Sequence, residues 1–378
     1  MISARCFFRE LVDCGVNFFT GIPDSLLKDF NNYVADHAGD GNDVITANEG
    51  AALALAAGRF IGSGKVSLVY LQNSGLGNII NPITSLVDPE VYGIPSLLLI
   101  GWRGEPGLSD EPQHLKQGRV TRELLDTMEI PWTILPTKEE KVQEMVKKSV
   151  SMALEKRGPV AILVQKGTFA KYNKRRRFKP KLEMTREEAI KTLVEHIDKD
   201  SCIVSTTGMT SRELFEIRQQ REETPDRDFL TVGSMGHALA IAHGIAITQK
   251  NRSVYCLDGD GSMLMHMGTI AIVGQSKVRA LRHILLNNGA HDSVGGQPTV
   301  GFNLDIPRLA LSCGYEWAET VDNKPDFQTA LAKTSTLECP SLINVKVRRG
   351  ARPDLGRPTV SPRTNIKMVQ AYLTSKLK

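Results

Sequence analysis

The stretch Val254-Tyr255-Cys256-Leu257-Asp258-Gly259-Asp260-Gly261-Ser262 decides the fold, because an apolar run leads directly into a glycine-rich turn. The apolar residues have the composition of a buried strand, and the two glycines permit a sharp turn. We expect a helix to begin at Ser262, with its free N–H groups facing an anion such as a phosphate. A strand, a turn and a helix in this order are typical of an α/β sheet.

A second apolar run, 283–286, leads into Asn287-Asn288, 25 residues after Ser262. Because parallel strands end at the same edge of a sheet, we expect Asn288 to lie close to Asp260. The Asp260 carboxylate, the Asn288 amide oxygen and the backbone carbonyl of Ala290 are the hard oxygen ligands that Mg²⁺ prefers. The sequence therefore predicts a Mg²⁺ ion bound to a diphosphate at this edge.

Two simpler interpretations of the glycine-rich turn have to be considered. An EF-hand calcium loop also begins with such a pattern, but it requires Gly at its sixth position and Glu at its twelfth. Here those positions hold Met263 and Thr269, so we exclude an EF-hand. Gly-Asp-Gly also occurs in ordinary turns, and the spacing to Asn288 and the motifs upstream therefore carry the assignment.

Asn48-Glu49-Gly50 lies between a strand-like segment, Val44-Ile45-Thr46, and an alanine-rich run over 51–60. This arrangement resembles the activating glutamate of thiamine diphosphate (ThDP) decarboxylases. The resemblance implies that Glu49 shares a proton with N1′ of the cofactor's aminopyrimidine ring. Without the downstream motif, Glu49 would be an ordinary helix-start residue that the helix dipole favours.

Two further segments fit the same cofactor. In Val232-Gly233-Ser234-Met235-Gly236-His237, the resemblance implies that the Gly233 carbonyl accepts from the 4′-amino group and that Met235 wedges under the cofactor; core packing is the alternative for Met235. In Thr206-Thr207-Gly208-Met209-Thr210-Ser211, hydroxyl and N–H groups would clasp the diphosphate, although the segment alone is only a good N-cap. The predicted cofactor-binding residues are Glu49, Thr207, Gly208, Thr210, Gly233, Met235, Gly259, Asp260, Gly261, Ser262 and Asn288.

Strand-like and helix-like segments alternate in two successive series along the 378 residues. The pattern predicts two α/β domains, each a doubly wound, mostly parallel sheet. We place a pyrimidine-binding domain at 1–170, a linker containing Arg175-Arg176-Arg177 at 171–184, and a pyrophosphate-binding domain at 185–378. A capping box of Thr185 and Glu188 marks the first helix of the second domain.

Composition limits the possible classes of function. No apolar stretch approaches the roughly 20 residues that span a bilayer, and the first ten residues lack a signal-peptide pattern, so we expect a cytoplasmic protein. The six cysteines include no C-x-x-C pair, which favours buried free thiols over disulfides or zinc ligands. A formal charge of +5 is too small to indicate nucleic-acid binding, but it modestly favours an anionic substrate.

The order and size of the domains narrow the family. The glutamate motif precedes the Gly-Asp-Gly motif, unlike in transketolases, and no room exists for the middle domain of larger decarboxylases. The chain resembles the compact phosphonopyruvate and sulfopyruvate decarboxylases over almost its whole length. The strings that carry this resemblance are Gly21-Ile22-Pro23-Asp24-Ser25, Arg103-Gly104-Glu105-Pro106-Gly107, Asp110-Glu111-Pro112-Gln113-His114, the segment 207–214, Asn287-Asn288-Gly289-Ala290-His291, and Arg352-Pro353-Asp354-Leu355-Gly356-Arg357-Pro358.

This resemblance implies a homodimer with active sites between chains, using ThDP and Mg²⁺ to convert 3-phosphonopyruvate into phosphonoacetaldehyde and CO₂ in phosphonate biosynthesis. Sulfopyruvate decarboxylase is the first alternative. A catalytically silent ThDP-fold subunit is the second, and it is disfavoured because Glu49, Asp260 and Asn288 are all present.

The remaining candidates surround the reacting substrate. His114 and His291 are the expected catalytic imidazoles, since such rings donate hydrogen bonds and move protons near neutrality. Four further residues are substrate candidates: Asp24, Ser25, Arg103 and Gln113. The basic residues nearest the family strings are Arg103, Lys116, Arg119, Arg352 and Arg357, and any of these cations is alternatively a surface salt-bridge partner.

Overall fold

The computed structural model describes residues 1–174, 182–276 and 278–375. The chain forms two compact units, residues 1–177 and 178–378. The basic triplet Arg175-Arg176-Arg177 of the predicted linker lies outside the described residues. At the two ends of that linker, Tyr172 donates its backbone N–H to Asp29 at 2.9 Å in the first unit, and Met184 is buried in the core of the second.

The first unit contains a six-stranded sheet in which every pairing is parallel, with the order β2-β1-β3-β4-β6-β5. Its strands are β1 (Phe19–Gly21), β2 (Asp43–Ile45), β3 (Leu68–Gln72), β4 (Ser96–Gly101), β5 (Trp132–Ile134) and β6 (Pro159–Val164). Its helices are α1 (Ala4–Asp13), α2 (Lys28–His37), α3 (Glu49–Ser63), α4 (Leu76–Pro82), α5 (Pro112–Thr127) and α6 (Val142–Lys156).

Helices cover both faces of this sheet, and each face has its own apolar core. Phe7 and Phe30 pack in one core, whereas Ala52 and Leu53 pack in the other. A strand covered on both faces is apolar throughout instead of alternating. All six residues of β4 are accordingly buried, which explains why its sequence is a continuous Leu and Ile run.

The second unit repeats this plan with a six-stranded parallel sheet of order β13-β14-β10-β9-β7-β8 and a small antiparallel pair, β11-β12. Its strands are β7 (Cys202–Ser205), β8 (Asp228–Leu230), β9 (Val254–Gly259), β10 (Leu281–Asn287), β11 (Ala290–His291), β12 (Gln297–Pro298), β13 (Trp317–Val321) and β14 (Ser341–Lys346). Its helices are α7 (Arg186–His196), α8 (Met209–Gln220), α9 (Ala238–Thr248), α10 (Asp260–Met265), α11 (Gly268–Gly274), α12 (Ile306–Ser312), α13 (Lys324–Ser335) and α14 (Pro362–Thr374).

The predicted fold class is confirmed, and the local signals account for most element boundaries. Thr185 and Glu188 form the predicted capping box. Asn48 caps α3, because its side chain accepts from the N–H of Ala51 at 3.0 Å. Helix α10 begins at Asp260, two residues before the predicted start at Ser262, so the aspartate lies in the first helical turn.

Two other features bear on the predictions from composition. Among the described residues, none of the helices combines the length and the apolar character that a membrane span requires. All six cysteines are free thiols, and three of them are buried: Cys202, Cys256 and Cys339.

Candidate active site

The predicted cofactor segments of the second unit converge where its strand order reverses, between β7 and β9. Ligands of such sheets bind outside the carboxyl ends of the strands at this point. Thr206, directly after β7, donates from Oγ1 to Oγ of Ser262, which follows β9, at 3.0 Å. The same Ser262 oxygen accepts from the N–H of Gly236 at 3.1 Å. Ser262 therefore joins the three segments that the sequence assigned to the cofactor.

Asp260 is almost completely buried beside the second of the predicted metal ligands. The N–H of Asn288 donates to Asp260 Oδ1 at 3.3 Å, and the Thr299 hydroxyl donates to Oδ2. Burial raises the pKa of Asp260 to about 6, against the effect of these two donors. A divalent cation would compensate the cost of burying this carboxylate, so the site fits Mg²⁺.

The turn after β10 is held by a dense set of hydrogen bonds. Asn287 donates from Nδ2 to the carbonyl of Gly301 at 2.8 Å, and Asn288 Oδ1 accepts from the N–H of Ala290 at 3.0 Å. Arg349 donates from Nε to the Asn288 carbonyl at 3.1 Å and also contacts the carbonyl of Gly289. This network fixes the backbone that presents Asn288 and Ala290.

The close approaches around two glycines define the shape of this site. A Cβ atom on Gly301 would lie 2.7 Å from both Asp260 Oδ2 and Asn287 Oδ1. A Cβ atom on Gly261 would lie 2.9 Å from Nδ1 of His291 and 3.5 Å from Cε of Met235. Met235 is half-buried and so is not a fully enclosed core residue.

His291 differs from the expectation that its ring titrates near neutrality. It is 7% exposed, and burial lowers its pKa to about 4. The imidazole is therefore neutral at pH 7, with one N–H donor and one acceptor nitrogen.

In the first unit, Glu49 is the first residue of α3, which follows β2, and it is buried, at 5% exposure. Its Oε2 accepts from Nδ2 of Asn78 at 2.6 Å. A Cβ atom on Gly75 would lie only 2.4 Å from its Oε1, so the glycine makes room for the carboxylate. Asn78 and Gly75 are contacts that the sequence did not single out.

Asp24 follows β1 at the same sheet edge and is fully buried. Its Oδ2 accepts from the N–H of Leu26 at 2.8 Å, and its Oδ1 accepts from Nε2 of Gln72 at 2.6 Å. A Cβ atom on Gly101 would lie 2.1 Å from Oδ2. The ends of β1, β3 and β4 therefore enclose this carboxylate at the point where the strand order of this sheet reverses.

A chain of polar contacts links three of the predicted substrate and catalytic residues through Asp110. Arg103 donates from Nε to Asp110 Oδ2 at 2.8 Å and from a second nitrogen to Oδ1, and its NH1 donates to Ser25 Oγ at 2.7 Å. Nδ1 of His114 lies 3.0 Å from Asp110 Oδ1. The guanidinium holds the pKa of Asp110 well below its usual range. Asp110 was quoted in a family string but was not assigned a role.

The other candidate cations differ in their surroundings. Lys116 and Arg119 are exposed on α5, and Arg357 is exposed in the second unit. Arg352, also in the second unit, forms ion pairs with three carboxylates: Glu187, Glu216 and Asp354. Gln113 is half-buried at the start of α5, and its Oε1 has no hydrogen-bond partner among the described residues.

A cavity of about 230 Å³ opens beside this cluster. It lies at the carboxyl edge of the first sheet, since residues after β1, β4 and β6 form its walls. The lining residues that bear on chemistry are Ser25, Arg103, Glu105, Asp110 and Lys166.

Known proteins match both units of the chain. The N-terminal TPP binding domain of thiamine pyrophosphate enzymes matches residues 1–130, and the C-terminal TPP binding domain matches residues 206–345. The phosphonopyruvate decarboxylase of Streptomyces viridochromogenes is 33% identical, over 99% of this chain and 96% of the relative. That of Streptomyces hygroscopicus is 34% identical, over 99% and 94%. The chain belongs to the phosphonopyruvate decarboxylase family.

A sulfopyruvate decarboxylase of Methanosarcina acetivorans is 25% identical over 89% of each chain. The family membership confirms the predicted cofactor, ThDP, which is another name for thiamine pyrophosphate, with Mg²⁺ as the usual partner metal of such enzymes. It also confirms the carboxy-lyase class, and the two matched TPP binding domains confirm the predicted pair of α/β domains.

Proposed function

We propose that this phosphonopyruvate decarboxylase family member converts 3-phosphonopyruvate into phosphonoacetaldehyde and CO₂, as a step of phosphonate biosynthesis. The observation that carries the proposal is the similarity to two phosphonopyruvate decarboxylases over 99% of the chain. The predicted cofactor residues are also grouped at the carboxyl edges of the two sheets, where ligands of such sheets bind.

The second unit supplies the cofactor anchor. Asp260, Asn288 and the carbonyl of Ala290 would hold Mg²⁺, whose charge would neutralise the diphosphate of the cofactor. Other anchor groups are Thr207, Gly208, Thr210, Gly259, Gly261 and Ser262. The Gly233 carbonyl would accept a hydrogen bond from the aminopyrimidine ring, and Met235 would pack against the cofactor. When bound, ThDP accepts the electron pair that CO₂ leaves behind.

Glu49 is the proton-sharing carboxylate of the first unit. Its burial and the single hydrogen bond from Asn78 keep the carboxylate in one orientation. His114 is a proton donor, and its contact with Asp110 leaves Nε2 as the ring atom available to substrate. His291 is neutral and acts as a hydrogen-bond donor or acceptor. Asp24 and Gln113 line the substrate position.

We also propose a homodimer as the minimum active unit, because in this family the glutamate and the diphosphate site come from different chains. The pyrimidine-binding domain is 1–170, the linker 171–184 and the pyrophosphate-binding domain 185–378. A small anionic 2-oxoacid is the partner, without nucleic acid or membrane. Six free thiols fit the reducing cytoplasm, where we place the protein.

Substrate preference tests the proposal directly. Phosphonopyruvate, sulfopyruvate and pyruvate are supplied separately to the holoenzyme, and CO₂ and aldehyde are followed. We expect phosphonopyruvate to give the highest kcat/KM, because its distal anion accepts charge-assisted hydrogen bonds from the site that the methyl group of pyruvate cannot accept. A preference for sulfopyruvate would select the first alternative instead.

The silent-subunit alternative is tested by melting the protein with ThDP, in Mg²⁺ and in EDTA. A ligand at about 100 times its dissociation constant adds roughly 2.7 kcal/mol of stability. We expect a ThDP-induced rise in melting temperature that depends on Mg²⁺. No rise in Mg²⁺ would contradict the cofactor site.

A further inference from the structure

The cavity of the first unit has room for a small polyatomic anion. Its volume of about 230 Å³ is several times the share of ~30 Å³ that one water molecule occupies in the liquid. Ser25 lines it from the end of β1, Arg103 from the end of β4 and Lys166 from the end of β6. Glu49 and Asp24 follow β2 and β1 at the same edge of the sheet. The cavity therefore lies at the sheet edge that also carries residues proposed for the reaction.

The two cations of this cavity are in different electrostatic states. Arg103 forms a two-point ion pair with Asp110, and its third donor contact goes to Ser25. Its charge is therefore already matched. Lys166 is exposed and has no hydrogen bond or ion pair with any of the described residues. Lys166 is thus the cation of this cavity whose charge is available to a ligand.

Ser25 provides a neutral donor beside this cation. Its Oγ accepts from NH1 of Arg103 at 2.7 Å, so the hydroxyl proton is directed away from the guanidinium. A hydroxyl oriented in this way donates to an anion that enters the cavity. Arg103 is then a positioning residue, because it orients Ser25 on one side and Asp110 with His114 on the other.

We propose that Lys166, assisted by the Ser25 hydroxyl, binds the distal tetrahedral oxyanion of the 2-oxoacid substrate, the phosphonate or sulfonate group. This inference rests on the proposed function and names the cation that the candidates Arg103, Lys116, Arg119, Arg352 and Arg357 left undecided. Lysine suits this position because its ammonium group is a compact point charge with three rotatable donors.

The carboxylate of Glu105, which also lines the cavity, leads to a second prediction. One oxygen of its carboxylate accepts from Nε2 of Gln165, and the other, Oε2, is buried without a partner among the described residues. Glu105 and Lys166 both line the cavity, so a carboxylate at position 105 would repel an incoming oxyanion. Removing this charge should therefore strengthen substrate binding, whereas removing the charge of Lys166 should weaken it.

The kinetic test compares Lys166→Met, Glu105→Gln and a matched control, Lys148→Met, at an exposed position of helix α6. For phosphonopyruvate we expect Lys166→Met to raise KM by at least about 10-fold, the effect of one lost hydrogen bond to a charged group, with a smaller change in kcat. Glu105→Gln should lower KM, and the control should match the wild type. For pyruvate, which lacks the distal anion, Lys166→Met should cause no comparable loss of kcat/KM.

A binding test separates this inference from the proposed function. Methylphosphonate is titrated into the holoenzyme with ThDP and Mg²⁺, and binding is followed by ³¹P NMR. We expect the wild type and Lys148→Met to bind it and Lys166→Met to bind it at least about 10-fold more weakly. If the wild type turns over none of the three oxoacids, the proposed function is wrong. The methylphosphonate titration alone then tests whether Lys166 binds the oxyanion. Equal KM or equal methylphosphonate affinity in the wild type and Lys166→Met would overturn the subsite.

Discussion

Nδ2 of Asn78 lies 2.6 Å from Oε2 of Glu49. This hydrogen bond orients the carboxylate that the sequence predicts for cofactor activation. The segment after β3 supplies both Asn78 and Gly75, whose missing side chain leaves space for Oε1. A single loop-helix segment thus controls the orientation of Glu49. Variants of that segment can change the position of the carboxylate without changing its chemistry.

Glu49→Gln should keep the fold and most of the ThDP affinity but lower turnover by at least about 10²-fold, the lower range for loss of a positioned acid–base group. Glutamine preserves size and still hydrogen-bonds N1′, but it cannot share the proton. The measurement is exchange of the C2 proton of bound ThDP for deuterium, followed by NMR after acid quench. The melting shift induced by ThDP should persist. Exchange at the wild-type rate would reduce Glu49 to a helix-start residue.

Gly75→Ala should lower turnover while leaving the melting temperature of the apoprotein nearly unchanged. The new Cβ would lie 2.4 Å from Glu49 Oε1, and the flexible side chain, rather than the backbone, has to move. Gly77→Ala is the matched control, because its added Cβ meets no atom within 4 Å beyond its chain neighbours and the backbone of its own helix. Equal kcat values for the two variants would show that the orientation of Glu49 does not limit the reaction.

Mg²⁺ affinity should fall as the pH drops below about 6. Burial raises the pKa of Asp260 to about 6, and only the ionised carboxylate binds the cation, so protons and Mg²⁺ compete. Well below pH 6, the apparent affinity should decrease about tenfold per pH unit. Titration of Mg²⁺ at a fixed ThDP concentration between pH 5 and about pH 8 measures this dependence, and a flat profile would contradict it.

The metal-free protein should show the opposite trend. A carboxyl group with a raised pKa in the folded state binds its proton more tightly than in the unfolded state. The stability that Asp260 contributes is therefore present below its ordinary pKa near 3.8 and is lost as the pH rises through about 6. Asp260→Asn should remove this dependence, and comparison of urea midpoints at several pH values tests it.

Local sequence signals predicted the fold and the positions of the motifs because both depend on short-range chemistry. The strand-to-glycine transition at 254–262 and the capping box at Thr185 involve neighbours within a few residues. The start of β1 is harder to locate from local signals, because Val16 is apolar and fully buried but the strand begins only at Phe19. Burial in the core does not by itself mark a residue as part of a strand.

The partners of the candidate side chains escaped prediction because they are distant in sequence. Thr299 contacts Asp260 across 39 residues, and Arg349 contacts Asn288 across 61. No periodic pattern encodes such pairs. Lys166 was missed for a related reason, because it follows β6, and only the fold shows that this strand ends beside the loops of Ser25 and Arg103.

The turn that carries Asn288 depends on a buried ion pair far from it in sequence. Arg186 forms two hydrogen bonds to Glu213, at 2.7 and 2.8 Å. Its third nitrogen lies 3.4 Å from Asp292, whose carboxylate in turn accepts from Nδ2 of Asn288 at 3.3 Å. The guanidinium of Arg186 therefore contacts both a buried carboxylate, Glu213, and Asp292, the residue that orients the proposed metal ligand Asn288.

Arg186→Met should destabilise the protein by about 3–5 kcal/mol, because it leaves the buried carboxylate of Glu213 unpaired. The double variant Arg186→Met/Glu213→Leu should recover much of that stability, since apolar residues replace a buried pair at little net cost. The single variant should also lower Mg²⁺ affinity, because Asp292 loses the guanidinium of Arg186. The double variant should not recover that affinity, because it lacks the guanidinium as well. Urea unfolding measures the stability, and Mg²⁺ titration measures the affinity.

The control variant is Arg279→Met, which breaks an exposed ion pair with Glu338. It should change neither the stability nor the Mg²⁺ affinity. Full recovery of Mg²⁺ affinity in the double variant would show that Arg186 stabilises the fold alone and does not position Asn288.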